Sequence, residues 1–148
     1  MSFQEAPTRS GTAAYLFLAM QYVKASPTIR QKLVKKNHHI RLVLEATDLY
    51  PAALIVFNGP NIHTEPISKS DCQDKSKWDC KMVAKAETFL NYFMGDLGAI
   101  RPMLFFKIKG VGMLTLTKLV WFIKENIKLF SPNRNFARAV FYSIYNQG

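Results

Sequence analysis

The sequence predicts one α+β domain, and two features of its hydrophobic patterning support this fold class. Apolar residues recur at helical spacing near both ends of the chain, whereas apolar and polar residues alternate along much of the middle, as in half-buried strands. Short turns join most of the alternating segments. Because a parallel crossover needs about a dozen residues or more, we expect a mainly antiparallel sheet.

Two helices are predicted before the first strand, after a flexible arm over residues 1–11. Thr12 can cap a first helix over residues 13–24, which places Ala13 and Leu16 among its inward residues. A second helix begins at Ser26-Pro27, since serine is a good cap and proline suits the first helical position. It extends to about residue 37, with Ile29, Leu33 and Val34 facing inward.

Strands are predicted over residues 40–45, 52–57, 62–67, 78–85 and 104–109. Pro66 should either keep the third strand at an edge or end it, because proline cannot donate a hydrogen bond to a neighbouring strand. A polar loop over residues 68–77 separates the third strand from the fourth. A short helix over residues 89–97 follows the fourth strand, and Gly110–Gly112 turns the chain after the fifth.

The C-terminal part of the chain is predicted to be helical. One long helix over residues 113–127 has an apolar stripe that Trp121 and Phe122 widen beyond an ordinary packing face. Ser131-Pro132 then starts a last helix. Its apolar seam comprises Phe136, Ala137, Val140, Phe141, Ile144 and Tyr145. Residues 12–148 are therefore expected to form a single domain.

The chain carries a net charge of +10, with twenty Lys and Arg against ten acidic residues. Such an excess favours anionic partners, including phospholipid headgroups, nucleic acid and acidic proteins. Candidates for docking on an anionic membrane lie on and after the second helix: Arg30, Lys32, Lys35, Lys36 and Arg41. The alternative is an ordinary solvated helix face.

Sequence signals for catalysis, metals and cofactors are weak. We find no nucleophile elbow, P-loop or dinucleotide fingerprint, and the carboxylate pairs lie in or beside turns. His38, His39 and His63 lack the spacing of a metal site. Cys72 and Cys80 do not suggest a disulfide framework, which favours a reducing compartment. We therefore expect a protein without enzymatic activity, metal or cofactor. We also expect no nucleic-acid partner, because the aromatic residues lie on apolar stripes and do not alternate with basic ones.

Residues 79–119 carry a set of local patterns that resembles the sterol carrier protein 2 (SCP2) domain family. The resemblance rests on five matches in chain order: Asp79-Cys80, Phe89-Leu90 through Gly95, Lys107-Ile108-Lys109, Gly110 to Gly112, and Lys118-Leu119. These cover about a third of the chain by motif and most of it by the order of elements. One departure is that Lys85-Ala86 stands where the family has an acidic helix cap.

The resemblance implies a five-stranded, five-helix domain with a hydrophobic tunnel between sheet and helices. Unbranched Met and flat Phe side chains suit such a tunnel because they adapt to varied ligand shapes. The alternative for any one of these residues is an ordinary core position. The tunnel candidates are Phe89, Leu90, Phe93, Met94, Met103, Leu104, Phe106, Met113, Leu116, Val120, Ile123, Phe136, Val140, Phe141 and Ile144.

The function implied is non-enzymatic binding and transfer of a sterol, fatty acid, acyl-CoA or phospholipid. The basic residues of the second helix favour docking to anionic membranes, and the absence of a peroxisomal signal makes the cytoplasm the default location. An accessory protein that presents a lipid-like intermediate, such as a quinone precursor, to a partner enzyme is the second hypothesis. A nucleic-acid-binding module is the third. No apolar run approaches the roughly 20 residues needed to cross a bilayer as a helix.

Overall fold

The structure is a computed structural model that describes residues 10–94 and 108–146. These residues contain six α-helices: α1 (Gly11–Ala25), α2 (Pro27–Lys36), α3 (Ala86–Phe93), α4 (Met113–Thr117), α5 (Val120–Phe130) and α6 (Arg134–Tyr145). They also contain five strands: β1 (His39–Ala46), β2 (Ala52–Asn58), β3 (Asn61–Ile67), β4 (Cys80–Ala84) and β5 (Lys109–Val111). No helix among the described residues is long and apolar enough to cross a membrane.

The five strands form one sheet in the order β3-β2-β1-β4-β5. The pairings β1–β2, β2–β3 and β4–β5 are antiparallel, which confirms the predicted α+β fold with a mainly antiparallel sheet. β4, however, lies parallel to β1, with Leu44 opposite Met82. The connection over residues 68–79 makes the parallel pairing possible, because it is long enough to carry the chain from the end of β3 back to the end of the sheet at which β1 begins.

The helices cover one face of the sheet, and the main core lies between them. Alternation along the strands directs Leu42, Leu44, Ile55 and Met82 into this core, where each is at most 2% exposed. As expected, Pro66 lies in an edge strand, where it stands opposite Ala53.

The opposite face of the sheet has its own small apolar cluster. The connection predicted as a plain polar loop contains two short 3₁₀ turns, and Cys72 within it is fully buried. The fourth strand was predicted to begin at residue 78, but β4 begins only at Cys80. The Trp78 ring instead packs beneath the turn, and its Nε1 donates to the Cys72 carbonyl at 3.1 Å.

The long helix predicted from residue 113 is wrong in one respect, since it is divided into α4 and α5 at residues 118–119. The Thr117 hydroxyl donates to the Leu114 carbonyl, and the Lys118 amide bonds only three residues back, to Thr115. Threonine bonding back to its own helix competes with the regular pattern and bends it. This division also explains why the described residues hold six helices and not about five.

The N-terminal helices confirm one predicted cap and correct another. Ser26 Oγ accepts from the Ile29 amide at 3.3 Å, as expected of the cap of α2. Thr12 does not cap α1, which begins at Gly11; its hydroxyl donates to the Leu49 carbonyl at 2.7 Å and so ties the helix to the β1–β2 turn. Val34 was expected inside but is 62% exposed.

Asp48 supplies the acidic cap that the local sequence before α3 lacks. Its Oδ1 accepts from the Ala86 amide at 2.8 Å, while its Oδ2 accepts from the Tyr145 hydroxyl at 3.0 Å. One turn carboxylate thus holds the start of α3 and the end of α6. Arg134 secures the other end of α6, since its guanidinium donates to Ser131 and, at 3.4 Å, to the Met94 carbonyl.

Candidate functional site: an apolar groove between α1, α5 and α6

An apolar groove with a volume of about 250 Å³ opens between α1, the end of α5 and the first half of α6. Its floor and walls are almost entirely aliphatic and aromatic. The lining residues are Tyr15, Leu18, Ala19, Tyr22, Leu129, Phe130, Asn133, Phe136, Ala137 and Val140. Binding sites for small apolar molecules have this character: a concave apolar surface with a few polar groups.

The α1 wall of the groove comes from a second apolar stripe on that helix. Tyr15, Ala19 and Tyr22 are spaced four and three residues apart and therefore lie on one side of α1. Leu18 and Tyr22 are 45% and 52% exposed, and Phe136 on the facing helix is 58% exposed. Large apolar side chains clustered at a surface mark binding grooves more often than isolated ones do.

Aromatic rings form the mouth of the groove. The Tyr22 ring meets Phe130 and Phe136 edge-on, with centroids 6.5 and 6.4 Å apart. Deeper in, Tyr15 meets Phe141 edge-on at 5.4 Å. Such edge-to-face pairs stabilise the positions of the rings, so an incoming molecule meets a fixed aromatic surface.

Two small voids continue from the groove toward the sheet. The first, of about 20 Å³, shares Tyr15, Ala19 and Phe130 with the groove and extends to the core strands. The second, of about 10 Å³, shares Tyr15 and Phe93 with the first and lies under α3. Among the described residues, the groove and the two voids therefore adjoin one another, and these shared aromatic side chains separate them.

Polar groups in the groove lining are few and uncharged. Asn133 contributes an amide near the start of α6, and the two tyrosines contribute hydroxyls. Burial raises the pKa of Tyr15 to about 12, so its hydroxyl stays protonated at neutral pH. Within the described lining, the groove therefore offers hydrogen bonds without a formal charge.

The predicted tunnel residues lie in several different places. Phe136 and Val140 line the groove, while Phe89, Leu90, Phe93, Ile123 and Phe141 line the two voids. Met94 and Leu116 are buried, and Val120 and Ile144 are half-buried, but all four are outside these linings. Met113 is 45% exposed and also lines none of the three cavities, because it sits on the short helix α4. Met103, Leu104 and Phe106 lie outside the described residues, as does most of the arm predicted over residues 1–11.

The hydrophobic pattern of the sequence did not predict the α1 and α5 contributions to the groove. It predicted a single inward stripe on α1, which comprises Ala13, Leu16, Phe17, Met20 and Val23. The structure buries all of these except Phe17, which is half-buried. The signal for a second stripe was the presence of Tyr15, Leu18 and Tyr22 between those residues, on a helix whose polar residues are too few to form an opposite face. Leu129 and Phe130 lay just beyond the predicted end of the long helix.

Two of the five basic residues of the predicted docking surface form ion pairs. Lys32 forms an ion pair with Glu125 at 2.6 Å, and Arg41 forms one with Asp79 at 3.1 Å. Arg30, Lys35 and Lys36 are exposed on α2. The three histidines have separate partners: His38 accepts from the Trp121 indole and stacks on it, His39 contacts Asn58, and His63 contacts Glu65.

We predict that Lys32→Gln lowers the free energy of unfolding at neutral pH, because it removes the ion pair with Glu125. The loss should be only about 1 kcal/mol, because Lys32 is 41% exposed and its pair is partly screened. The hydrogen bond from Lys32 holds the pKa of Glu125 below its usual 4.5. A carboxylate with a lowered pKa stabilises the fold above its unfolded pKa, and this stabilisation is lost as pH falls through the folded pKa. In urea unfolding, the stability difference between Lys32→Gln and the unmodified protein should therefore shrink as the pH falls below 4.5.

Lys128→Gln is the matched control for this measurement. Lys128 lies 3.8 Å from the same Glu125 carboxylate but is 75% exposed, so its removal should change stability by only a few tenths of a kcal/mol. An equal loss for Lys32→Gln at pH 7 and at low pH would show that its contribution is not the ion pair.

Comparison with known proteins supports the fold at the level of structure. No protein-family model matches the sequence, and no curated protein matches it significantly. The chain is similar to a solved structure described as a UbiJ-SCP2 ubiquinone synthesis protein, with a TM-score of 0.55 and 15% sequence identity, over 78% of this chain and 89% of that one. At this identity the likeness establishes an SCP2-like fold, which confirms the fold expected from the sequence resemblance.

Proposed function

We propose that this domain binds an elongated ligand with an apolar body in the groove between α1, α5 and α6. The groove carries the proposal, because it is apolar and open to the surface, and its wall contains Leu18, Tyr22 and Phe136, which are large, exposed side chains. Burial of apolar ligand surface there is worth about 25 cal/mol per Å². The SCP2-like fold agrees with a role in binding hydrophobic molecules.

The groove accommodates only part of a lipid-sized ligand. Its volume of about 250 Å³ is slightly below the roughly 300–1,000 Å³ of typical ligand sites. A long ligand extends inward when Tyr15, Phe93 and Phe130 change rotamer, since these side chains divide the groove from the two voids behind it. The tunnel expected from the sequence is then a ligand-dependent cavity that opens when these side chains move and join the groove to the voids.

The lining of the groove supports binding and transfer of a ligand without a chemical reaction. Its described residues supply apolar contacts, one amide and neutral hydroxyls, which position a ligand. Fatty acids, sterols, acyl-CoAs and phospholipids all have an apolar body that fits such a surface. The exposed cations Arg30, Lys35 and Lys36 would add about 1 kcal/mol each to binding at an anionic membrane.

A second candidate function is presentation of a quinone-like intermediate to a partner enzyme. The observation that favours it is the aromatic mouth of the groove, where Tyr22, Phe130 and Phe136 offer ring faces and edges for stacking against a planar head. The description of the similar solved structure as a ubiquinone synthesis protein agrees with this alternative.

Ala19→Trp should weaken ligand binding at least tenfold, a loss of about 1.4 kcal/mol or more. Ala19 lines both the groove and the first void, so an indole at this position fills the cavity that the ligand would occupy. Binding is measured by the fluorescence of cis-parinaric acid, which increases in an apolar site. Displacement of this probe by decylubiquinone, compared with displacement by oleate, separates the two candidate functions.

Gln21→Trp is the control, because it places the same indole on an exposed position of α1 outside the groove lining. It should bind the probe like the unmodified protein. Retention of full affinity by Ala19→Trp would exclude the groove as the binding site. Native mass spectrometry of the gently purified protein, before and after organic extraction, then identifies the mass of any bound ligand.

A further inference from the structure

A polar pocket of about 320 Å³ lies on the face of the sheet opposite the helices. It is bounded by β1, β4 and β5, by the turn after β1, and by the segment that contains the first 3₁₀ turn. Its lining comprises Glu45, Thr47, Tyr50, Lys69, Gln73, Lys81, Val83, Lys109 and Val111. The groove and the voids behind it share none of these residues.

Strand register assembles the floor of this pocket. Glu45 is opposite Val83 in the parallel pair β1–β4, and Val83 is opposite Lys109 in the antiparallel pair β4–β5. One row further along, Lys81 is opposite Val111. Since side chains alternate between faces, the neighbours Leu44 and Met82 point to the helical core. The sheet therefore separates the polar pocket from the apolar groove.

A buried ion pair forms part of this floor. The Glu45 and Lys81 side chains are 4% and 8% exposed, and Lys81 Nζ lies 3.3 Å from Glu45 Oε1. Lys81 also donates to the Cys72 carbonyl at 2.8 Å and sits 4.9 Å from the centre of the Trp78 ring. The second Glu45 oxygen accepts from the Tyr50 hydroxyl. The floor is thus rigid and electrically balanced.

The rim of the pocket adds positive charge that this floor does not balance. Lys69 Nζ lies 5.8 Å from the centre of the Tyr50 ring, which holds its ammonium group above the pocket. Lys109 is exposed on β5. Of the charged residues in the described lining, three are lysines and one is a glutamate, so the pocket carries an excess of two positive charges. Gln73 and Thr47 add uncharged hydrogen-bonding groups.

We propose that this pocket binds a small organic anion whose carboxylate or phosphate group lies between Lys69 and Lys109. The apolar part of the ligand rests on Val83 and Val111, and Gln73 and Thr47 bond its remaining polar atoms. Buried ion pairs are costly compared with apolar residues of similar size, so a pair beneath an open pocket suggests a functional role for the site. This site is independent of ligand binding in the groove.

The proposal is tested by following the backbone amide signals of the protein by NMR during titration with phenyl phosphate and with benzoate, and with inorganic phosphate as the anion without a ring. We expect at least one of the two aromatic anions to shift signals of β4, β5 and residues 69–73 saturably, and to bind more tightly than inorganic phosphate. Comparing phenyl phosphate with benzoate identifies the preferred anionic group. Absence of saturable shifts with both aromatic anions overturns the proposal.

Lys69→Gln and Lys109→Gln should each weaken binding about tenfold, because each removes a charge-assisted hydrogen bond. Both side chains are exposed, so neither change threatens the fold. Lys75→Gln is the control, since it removes the same charge from an exposed position outside the lining and should leave affinity unchanged. An equal loss in all three variants would indicate general attraction to a basic protein and would overturn a specific site. Ala19→Trp should bind the anion normally, which separates this result from the outcome for the groove.

Discussion

Glu45→Leu should lower the free energy of unfolding by about 3–5 kcal/mol, because it leaves the ammonium group of Lys81 buried without a counter-charge. The Lys81 side chain is only 8% exposed, and its other polar partner within the described part of the chain is the Cys72 carbonyl. The Tyr50 hydroxyl would lose its acceptor at the same time. Urea unfolding at neutral pH measures the loss.

The double variant Glu45→Leu/Lys81→Met decides whether this cost belongs to the pair or to the space that it fills. Replacing both charges with apolar side chains of similar size removes the unpaired charge, so most of the stability lost in the single variant should return. A double variant as unstable as the sum of the two single variants would show that the side chains act independently. In that case, the pair would not be the rigid floor that we infer beneath the polar pocket.

Local patterns in the sequence predicted most of the fold. The period-two recurrence of Ile40, Leu42 and Leu44 correctly placed β1 and the face that it turns to the helical core, and Pro66 correctly marked an edge strand. Ser26-Pro27 correctly marked the start of α2. Each of these signals depends on residues close together in the chain, where backbone geometry and side-chain direction are fixed by short-range sterics.

Features that depend on residues distant in sequence were not predictable in the same way. The parallel pairing of β4 with β1 depends on where the long connection over residues 68–79 returns, and no local period reports that. The cap of α3 is Asp48, which lies 38 residues before Ala86. Likewise, Tyr15 and Tyr22 show that α1 has a second apolar stripe, but only the positions of α5 and α6 show that this stripe lines a groove.

The two candidate sites differ in how far they could be predicted from the sequence. The groove is built from apolar stripes that a helical period can detect, although it cannot distinguish a stripe that packs in the core from one that stays open. The polar pocket depends on Glu45 and Lys81, which in sequence occupy ordinary outward positions of half-buried strands. Their burial results from the 3₁₀ turn that covers the second face of the sheet, and the sequence pattern of that connection predicted only a polar loop.

Gly112→Ala should lower the free energy of unfolding by about 2–5 kcal/mol, adding the cost of a left-handed backbone to that of a steric clash. Gly112 has φ +72°, and a Cβ atom there would lie 2.7 Å from the Asp79 carbonyl oxygen and 3.2 Å from Cys80 Cα. Both atoms belong to the backbone at the start of β4 and cannot rotate away. The substitution therefore forces β5 and α4 away from β4.

Gly59→Ala is the matched control for this prediction, measured by urea unfolding under the same conditions. Gly59 has a similar φ of +64°, but its Cβ would meet the Asn37 side-chain oxygen at 2.9 Å, and that side chain can move. Only the backbone cost of about 1–2 kcal/mol should remain. Equal losses of stability for the two variants would mean that the backbone at the start of β4 moves to accommodate the new Cβ atom at position 112. A larger loss at Gly112, together with weaker anion binding, would instead show that the close contact with β4 holds Lys109 and Val111 in place at the polar pocket.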